Sequence, residues 1–316
     1  MAKYIIRRLV EFIPTLLVIT LGSFLLLQGV PGGPIGLYTQ NPAITGEDLN
    51  RLEHAFGLDQ PAHVQYLRWL GRLLHGDWGY SLIERRPVLT IVRERLGSTL
   101  YLAGLGLLVG LLVSIPVGTL SAYRQYSLLD YVTTSLALIG YSLPIFWSGL
   151  IAIIVFTVWL RWFPAGGMYT LGQVPTITDR LRHTVLPVSV LALFHAGYYT
   201  RFVRASVLEV LGCDYLRTAR AKGLTERQVL VRHAAKNAAI PIVTLVALNL
   251  PGLFAGALFT ETIFTWPGMG RLFWQAAMRR DYPVLMALVT ITAILVILSN
   301  LVADIAYALL DPQVRL

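Results

Sequence analysis

The side chains able to do chemistry in this chain are few and scattered. Cys213 is its only cysteine among 316 residues, so neither a disulfide framework nor a thiolate metal cluster is available. The sequence contains no G-x-x-x-x-G-K-[ST] phosphate loop, no H-E-x-x-H pair and no G-x-S-x-G elbow, which are the spacings that place nucleophiles, metal ligands or phosphate cradles. The chain is therefore expected to carry no catalytic residue, no metal and no cofactor. Functional groups are densest in CDYLRTARAKGLTERQVLVRHAAKNAAIP, Cys213 to Pro241. This stretch reads as two short amphipathic helices: Asp214 can cap the first, and Gly223 supplies the left-handed residue that ends it. Thr225 with Gln228 forms a capping-box pattern, and Pro241 suits the start of a further helix. A helix, glycine turn and helix make a protruding knob for a soluble partner; a basic helix lying on anionic lipid is the other reading of the same residues.

The elements that must hold this knob are written in the composition. Hydrophobic residues make up 55% of the chain and charged residues only 14%, against about 25% charged in soluble domains. Six windows free of Asp, Glu, Lys and Arg run from Phe12 to Val30, Leu96 to Tyr123, Val132 to Leu160, His183 to Thr200, Asn237 to Thr260 and Tyr282 to Ala303. A bilayer core takes about 20 apolar residues per helix, so an all-α polytopic membrane protein with six transmembrane helices is expected. The first window exceeds a signal peptide's apolar run of roughly 7 to 15 residues and lacks an A-x-A site, so it reads as a retained anchor. The third is about 43 Å long as a straight helix, and Pro144 is expected to kink or divide it. GxxxG pairs at Gly106 with Gly110 and Gly252 with Gly256 permit close helix approach.

Lys and Arg in short loops set orientation. Thirteen lie in the N-terminus, the loop with Arg124, the segment from Arg201 to Lys236 and the tail, whereas the opposite short loops hold six. Both termini are therefore expected in the cytoplasm. The net charge of +9 is then mainly topological, and no nucleic-acid partner is expected. Residues 1–30 form the N-terminus and first span, 31–95 an extracytoplasmic scaffold, 96–310 a five-helix core containing the cytoplasmic loop 206–238, and 311–316 a tail.

Several polar residues fall inside or beside the windows. His195 lies in the fourth beside Tyr198 and Tyr199, and an ionisable group at that depth is a candidate for lining a pathway. Asn249, and Asn300 with Asp304, are expected to hydrogen-bond between helices. Glu261, Trp266, Gly268, Arg271 and Asp281 lie in an outer loop, for which a Glu261 to Arg271 ion pair is one reading.

The run SVLEVLGCDYLRTARAKGL resembles the EAA loop of binding-protein-dependent ABC importer permeases, in the form found in dipeptide and oligopeptide systems. The resemblance extends through RRLVEFIPT, FGLDQP, GDWGYS, SLPIFW, TETIFTWPGMGR, RRDYP and NLVADIAYALLDP, and the long first outer loop is similar to that of the first of the two permease subunits. Arg217, Thr218 and Ala219 stand where the general motif begins with Glu. The resemblance implies a type I permease fold in a bacterial or archaeal inner membrane, in contact with membrane lipid. It implies a second homologous permease, two ATPase subunits holding ATP and Mg, and an extracytoplasmic substrate-binding protein. It assigns ATPase contact to Asp214, Tyr215, Arg217, Ala219, Ala221, Lys222, Gly223 and Leu224. It makes the outer loop a re-entrant gate, with Pro144, His195, Asn249, Glu261, Trp266, Gly268, Arg271 and Asp281 as pathway or gate candidates. Short peptides are the implied cargo, with glutathione, nickel chelates or haem as alternatives. An ion-coupled carrier is the rival class, but such folds pair their broken helices, and Pro144 has no evident counterpart.

Overall fold

The computed structural model describes residues 2–30, 33, 45–47, 51, 54, 57, 59–221, 223, 225, 228 and 235–310, with backbone alone at 2–5, 217, 219, 220, 235–238, 240, 254–256 and 306–310. These residues form helices, with one isolated bridge between Tyr80 and Pro87. They gather into two compact units, Met1–Ser98 with Gly268–Leu298 and Thr99–Pro267 with Ser299–Leu316. The units follow spatial contact, whereas the sequence division follows membrane topology.

In the first unit, α1 (Ala2–Gln28) is tied to α2 (Ala62–Leu74). Thr20 and the Tyr66 hydroxyl share a hydrogen bond of 2.9 Å, and Gln28 donates to Gln65 at 2.6 Å. The core of this unit joins Val88, Ile91 and Val92, from the start of α3 (Val88–Tyr123), to Leu272 and Ala276 of α10 (Met269–Met278) and to Val284 and Leu288 of α11 (Tyr282–Leu310).

The second unit is built around α6 (Ile177–Leu211). Its N-cap is Thr176, whose hydroxyl accepts from the Asp179 amide at 3.1 Å, as a helix start requires. Around it lie the rest of α3, α4 (Leu128–Ser142), and α5 (Ile145–Ala152), which continues as a π-helix over Ile153–Trp159. After α6 come α7 (Asp214–Ala221), α8 (Ala235–Gly256) and the short α9 (Leu258–Ile263).

Glycine sets the spacing of α3 against α6. A Cβ at Gly106 would fall 2.6 Å from Leu191 Cβ, at Gly110 2.6 Å from His195 Cβ, and at Gly118 2.8 Å from Thr200 O. Neighbours therefore advance together along both helices, so α3 and α6 run parallel. Gly197 of α6 meets α4 in the same way, 2.6 Å from Ala137 O and 2.8 Å from Tyr141 N. Gly140 approaches Leu193, while Asp130 pairs with Arg204, so α4 runs antiparallel to α6. This is the alternation that successive spans require. Of the two GxxxG pairs, Gly106 with Gly110 makes a close contact; nothing lies within 4 Å of a Cβ at Gly252.

Among the described residues, α1, α3 and α11 are long and apolar enough to cross a bilayer, and α4 with α5 makes a fourth span if the bent pair is one. The break at Pro144 is sharp, with the pair bent by 99°. Leu143 is extended, as a residue before proline must be, and Pro144 becomes the N-cap of α5. The fourth and fifth predicted spans differ from the other windows in character. Helix α6 carries His183, His195, Tyr198 and Tyr199 and buries most of its residues over 183–192, while Val185, Ser189 and Leu193 keep one face exposed. In α8 the described apolar run is Pro241–Leu253.

The glycine contacts make a stability prediction. Gly118→Leu should destabilise the folded chain by about 1–3 kcal/mol through overpacking, whereas Gly104→Leu, at a position with open space around it, should change little. Thermal unfolding in detergent checks the difference.

Candidate functional site

Helix α6 leads almost without slack into α7, the helix of the segment expected to contact the ATPase. It ends at Leu211 with Gly212 as C-cap, and α7 begins two residues later at Asp214. Leu216 is fully buried and anchors α7, while Asp214, Thr218 and Ala221 are exposed and Tyr215 is 41% exposed. The backbones of Arg217 and Ala219 lie within α7, but their side chains are outside the described residues, as are Lys222 and Leu224 altogether. Gly223 has φ +81°, the left-handed conformation expected of a helix-ending glycine, and no atom lies within 4 Å of where its Cβ would be. Beyond it the capping box forms: the Thr225 amide donates to Gln228 Oε1 at 3.0 Å, and the Gln228 amide to Thr225 Oγ1 at 3.4 Å.

A buried ion pair fastens α6 near this end. Asp130 in the first turn of α4 is 3% exposed. Its Oδ1 accepts from Arg204 Nε at 2.7 Å and from Ser121 Oγ at 2.5 Å; its Oδ2 accepts from Arg204 Nη2 at 2.8 Å and from the Tyr126 amide at 3.0 Å. The fork geometry of arginine suits a carboxylate held by two parallel bonds. This clamp joins α3, the 124–127 turn, α4 and α6 within two turns of the C-terminal end of α6. Sequence reading missed it by treating Arg204 as a topological charge. The signal was Asp130 itself, a carboxylate at the mouth of an apolar window, which must find a partner once desolvated.

The outer candidates divide between the two units. In the second, Glu261 and Trp266 are completely buried and neither offers surface to a partner. Thr99 donates to Glu261 Oε1 at 2.6 Å, and the Trp266 ring stacks on Tyr101 at 6.1 Å with 5° between planes. The loop before α6 crosses this element so closely that a Cβ on Gly166 would stand 2.4 Å from Phe264 O. In the first unit, Gly268 is the N-cap of α10, Arg271 lies in its first turn, and Asp281 is buried before α11. Asp281 accepts from Ser81 Oγ at 2.5 Å and from the Leu82 and Ile83 amides at 3.2 and 3.4 Å, so the GDWGYS and RRDYP motifs are two halves of one anchor. Burial and desolvation push the Arg271 guanidinium below its ordinary range.

His195 packs among rings, 5.8 Å from Phe194 and 6.2 Å from Tyr199, next to a cluster of Tyr141, Tyr198 and Phe202. Asn249 donates to Leu245 O at 2.8 Å within its own helix, not between helices as expected. No group of three or more His, Cys, Asp or Glu among the described residues is placed to hold a metal ion.

The long apolar helices α1, α3 and α11 and the bent pair α4 and α5 are the elements of a helical membrane protein. Residues 114–316 match the binding-protein-dependent transport system inner membrane component family, and residues 1–103 its N-terminal component. The chain belongs to this family and is a non-enzymatic permease subunit of an ABC importer in the inner membrane. It is 45% identical over all of both chains to the oligopeptide transport system permease protein AppB of Bacillus subtilis (strain 168). It is 38% identical to the dipeptide transport system permease protein DppB of Escherichia coli (strain K12), over 100% of this chain and 99% of that one. Among solved structures it is similar to a chain of the MetNI methionine ABC transporter in an inward facing conformation, with TM-score 0.57 and 18% identity over 71% of this chain and 98% of that one. The fold is the all-α type I permease fold.

Truncating one partner of the clamp should be worse than removing both charges. Arg204→Met, which leaves Asp130 buried and unpaired, is expected to cost about 3–5 kcal/mol, and Asp130→Asn added to it should recover part of that loss. A double-mutant cycle on unfolding temperature checks the sign of the coupling.

Proposed function

We propose that this chain imports short peptides as one of two permease subunits enclosing a pathway, driven by two separate ATPase subunits. The observation that carries the cargo is full-length 45% identity to an oligopeptide permease. ATP and Mg belong to the ATPases, and an extracytoplasmic binding protein delivers the peptide. Positive charge in the short loops puts both termini and the loop 206–238 in the cytoplasm, with 31–95 outside.

The coupling surface consists of Asp214, Tyr215, Arg217, Ala219, Ala221, Lys222, Gly223 and Leu224, seated in a groove of the ATPase. Small residues at Ala219, Ala221 and Gly223 let two surfaces approach closely. ATP-driven closure of the ATPases displaces α7, and the two-residue link to α6 passes the displacement into the bundle with little loss. The clamp at Asp130 makes α4 and the 124–127 turn follow α6. Opening then exposes the pathway to the binding protein, and hydrolysis resets it. Pro144 divides the span at which α4 and α5 change angle. His195 and Asn249 are pathway candidates, while Glu261, Trp266, Gly268, Arg271 and Asp281 hold the outer gate from within.

Gly223→Trp tests the coupling assignment. It places a large side chain on a left-handed residue in the proposed interface, and should abolish ATP-driven uptake of labelled di- and tripeptides while membrane abundance stays near wild type. Unimpaired uptake in that variant would remove the coupling role; uptake of an unrelated solute class by the wild type would remove the peptide assignment alone.

A further inference from the structure

At the end of α6 remote from the coupling segment, residues 160–176 return across the first turns of the helix and leave a cavity of about 330 Å³. Its wall departs from ordinary helical protein in several ways at once. The helix leading to it is a seven-residue π-helix, Ile153–Trp159; such wide turns are rare and gather at functional sites. Arg161 follows with φ +55°, a conformation glycine adopts easily and a long side chain adopts under strain, which folds retain where the side chain is used. In the same wall the Thr157 hydroxyl oxygen is buried without a hydrogen-bond partner.

The charge of the wall selects an anion. Arg161 and Arg182 both line the cavity, both are exposed, and neither makes an ion pair among the described residues. The carboxylate beside them, Asp179, is held mainly by Thr170, whose amide and hydroxyl each donate to it at 2.7 Å, with His183 Nε2 3.5 Å away and the Arg182 charge acting on it at longer range. Two guanidinium groups with free donors recognise a tetrahedral phosphate well.

The surroundings select a lipid as its bearer. Trp159 and Trp162, 73% and 56% exposed, flank Arg161, the pairing of amphipathic rings and a cation that marks a headgroup level. From the cavity, Val158, Ile154 and Leu150 continue at four-residue spacing as an exposed apolar strip on which an acyl chain can lie. We infer that Arg161 and Arg182 bind the headgroup phosphate of an anionic phospholipid, with its acyl chain along the exposed face of α5 and the π-helix. The inference rests on the family's place in the membrane and is independent of the peptide assignment.

The test is native mass spectrometry of the intact transporter, delipidated and titrated with phosphatidylglycerol, with inorganic phosphate as competitor. The variant Arg161→Gly/Arg182→Gln removes both cations, and glycine at 161 relaxes the backbone, so loss of binding is not loss of fold. Saturable phosphatidylglycerol binding, weakened at least about tenfold by this variant and unaffected by phosphate, is the expected result. A second variant, Trp159→Ala/Trp162→Ala, should weaken lipid binding with both arginines in place. Equal lipid binding by wild type and the arginine variant would overturn the site. Displacement of lipid by phosphate at comparable affinity would leave a free-anion site and overturn the lipid.

Discussion

The distance of closest approach to α6 is the constraint on which the second unit depends. Inside a bilayer, helices gain nothing from excluding water from one another, so association relies on contact at short range. Glycines at 106, 110 and 118 of α3, and Gly197 of α6 itself, bring backbones to where any side chain would collide. Once that spacing is set, the parallel course of α3 and the antiparallel course of α4 follow. So does the meeting of polar groups at each end: Ser121, Asp130 and Arg204 at one, Tyr101, Thr184 and Arg180 at the other.

Those polar groups are tolerable because each buried carboxylate is met by donors aimed at it. Asp130 has a bidentate arginine, a hydroxyl and an amide; Asp281 has a hydroxyl and two amides; Glu261 has the Thr99 hydroxyl among its partners. A buried ion pair adds little net stability over an apolar substitute. Its value here is positional, since directional bonds fix the register of α4 against α6 where apolar packing alone would allow sliding.

Membrane character, the short helix over 214–221, the left-handed Gly223 and the Thr225–Gln228 box were legible in the sequence, because they depend on local composition and on residues a few positions apart. Gly223 and the Thr225–Gln228 box adopt the conformations their types demand. The break at Pro144 was legible for the same reason, though not its 99° angle, which neighbours decide. What the sequence concealed was long-range pairing. Nothing local joins Asp130 to Arg204 or Ser81 to Asp281, and the packing of Gly166 on Phe264 and of Met168 on Trp266 leaves no periodic mark.

The placement of these anchors bears on the stiffness of α6. A helix the length of α6, about 52 Å at 1.5 Å per residue, has Pro187 inside it, so its stiffness depends on what is packed around that point. There its neighbours are Leu186, Val188, Val190 and Leu191, all buried, with Leu102, Phe264 and Trp266 against them. The element 258–267 is thus packed on the one part of α6 where a bend is cheapest. Any bend at Pro187 must therefore work against that packing. The completely buried rings of Phe264 and Trp266 leave little room there for α6 to bend.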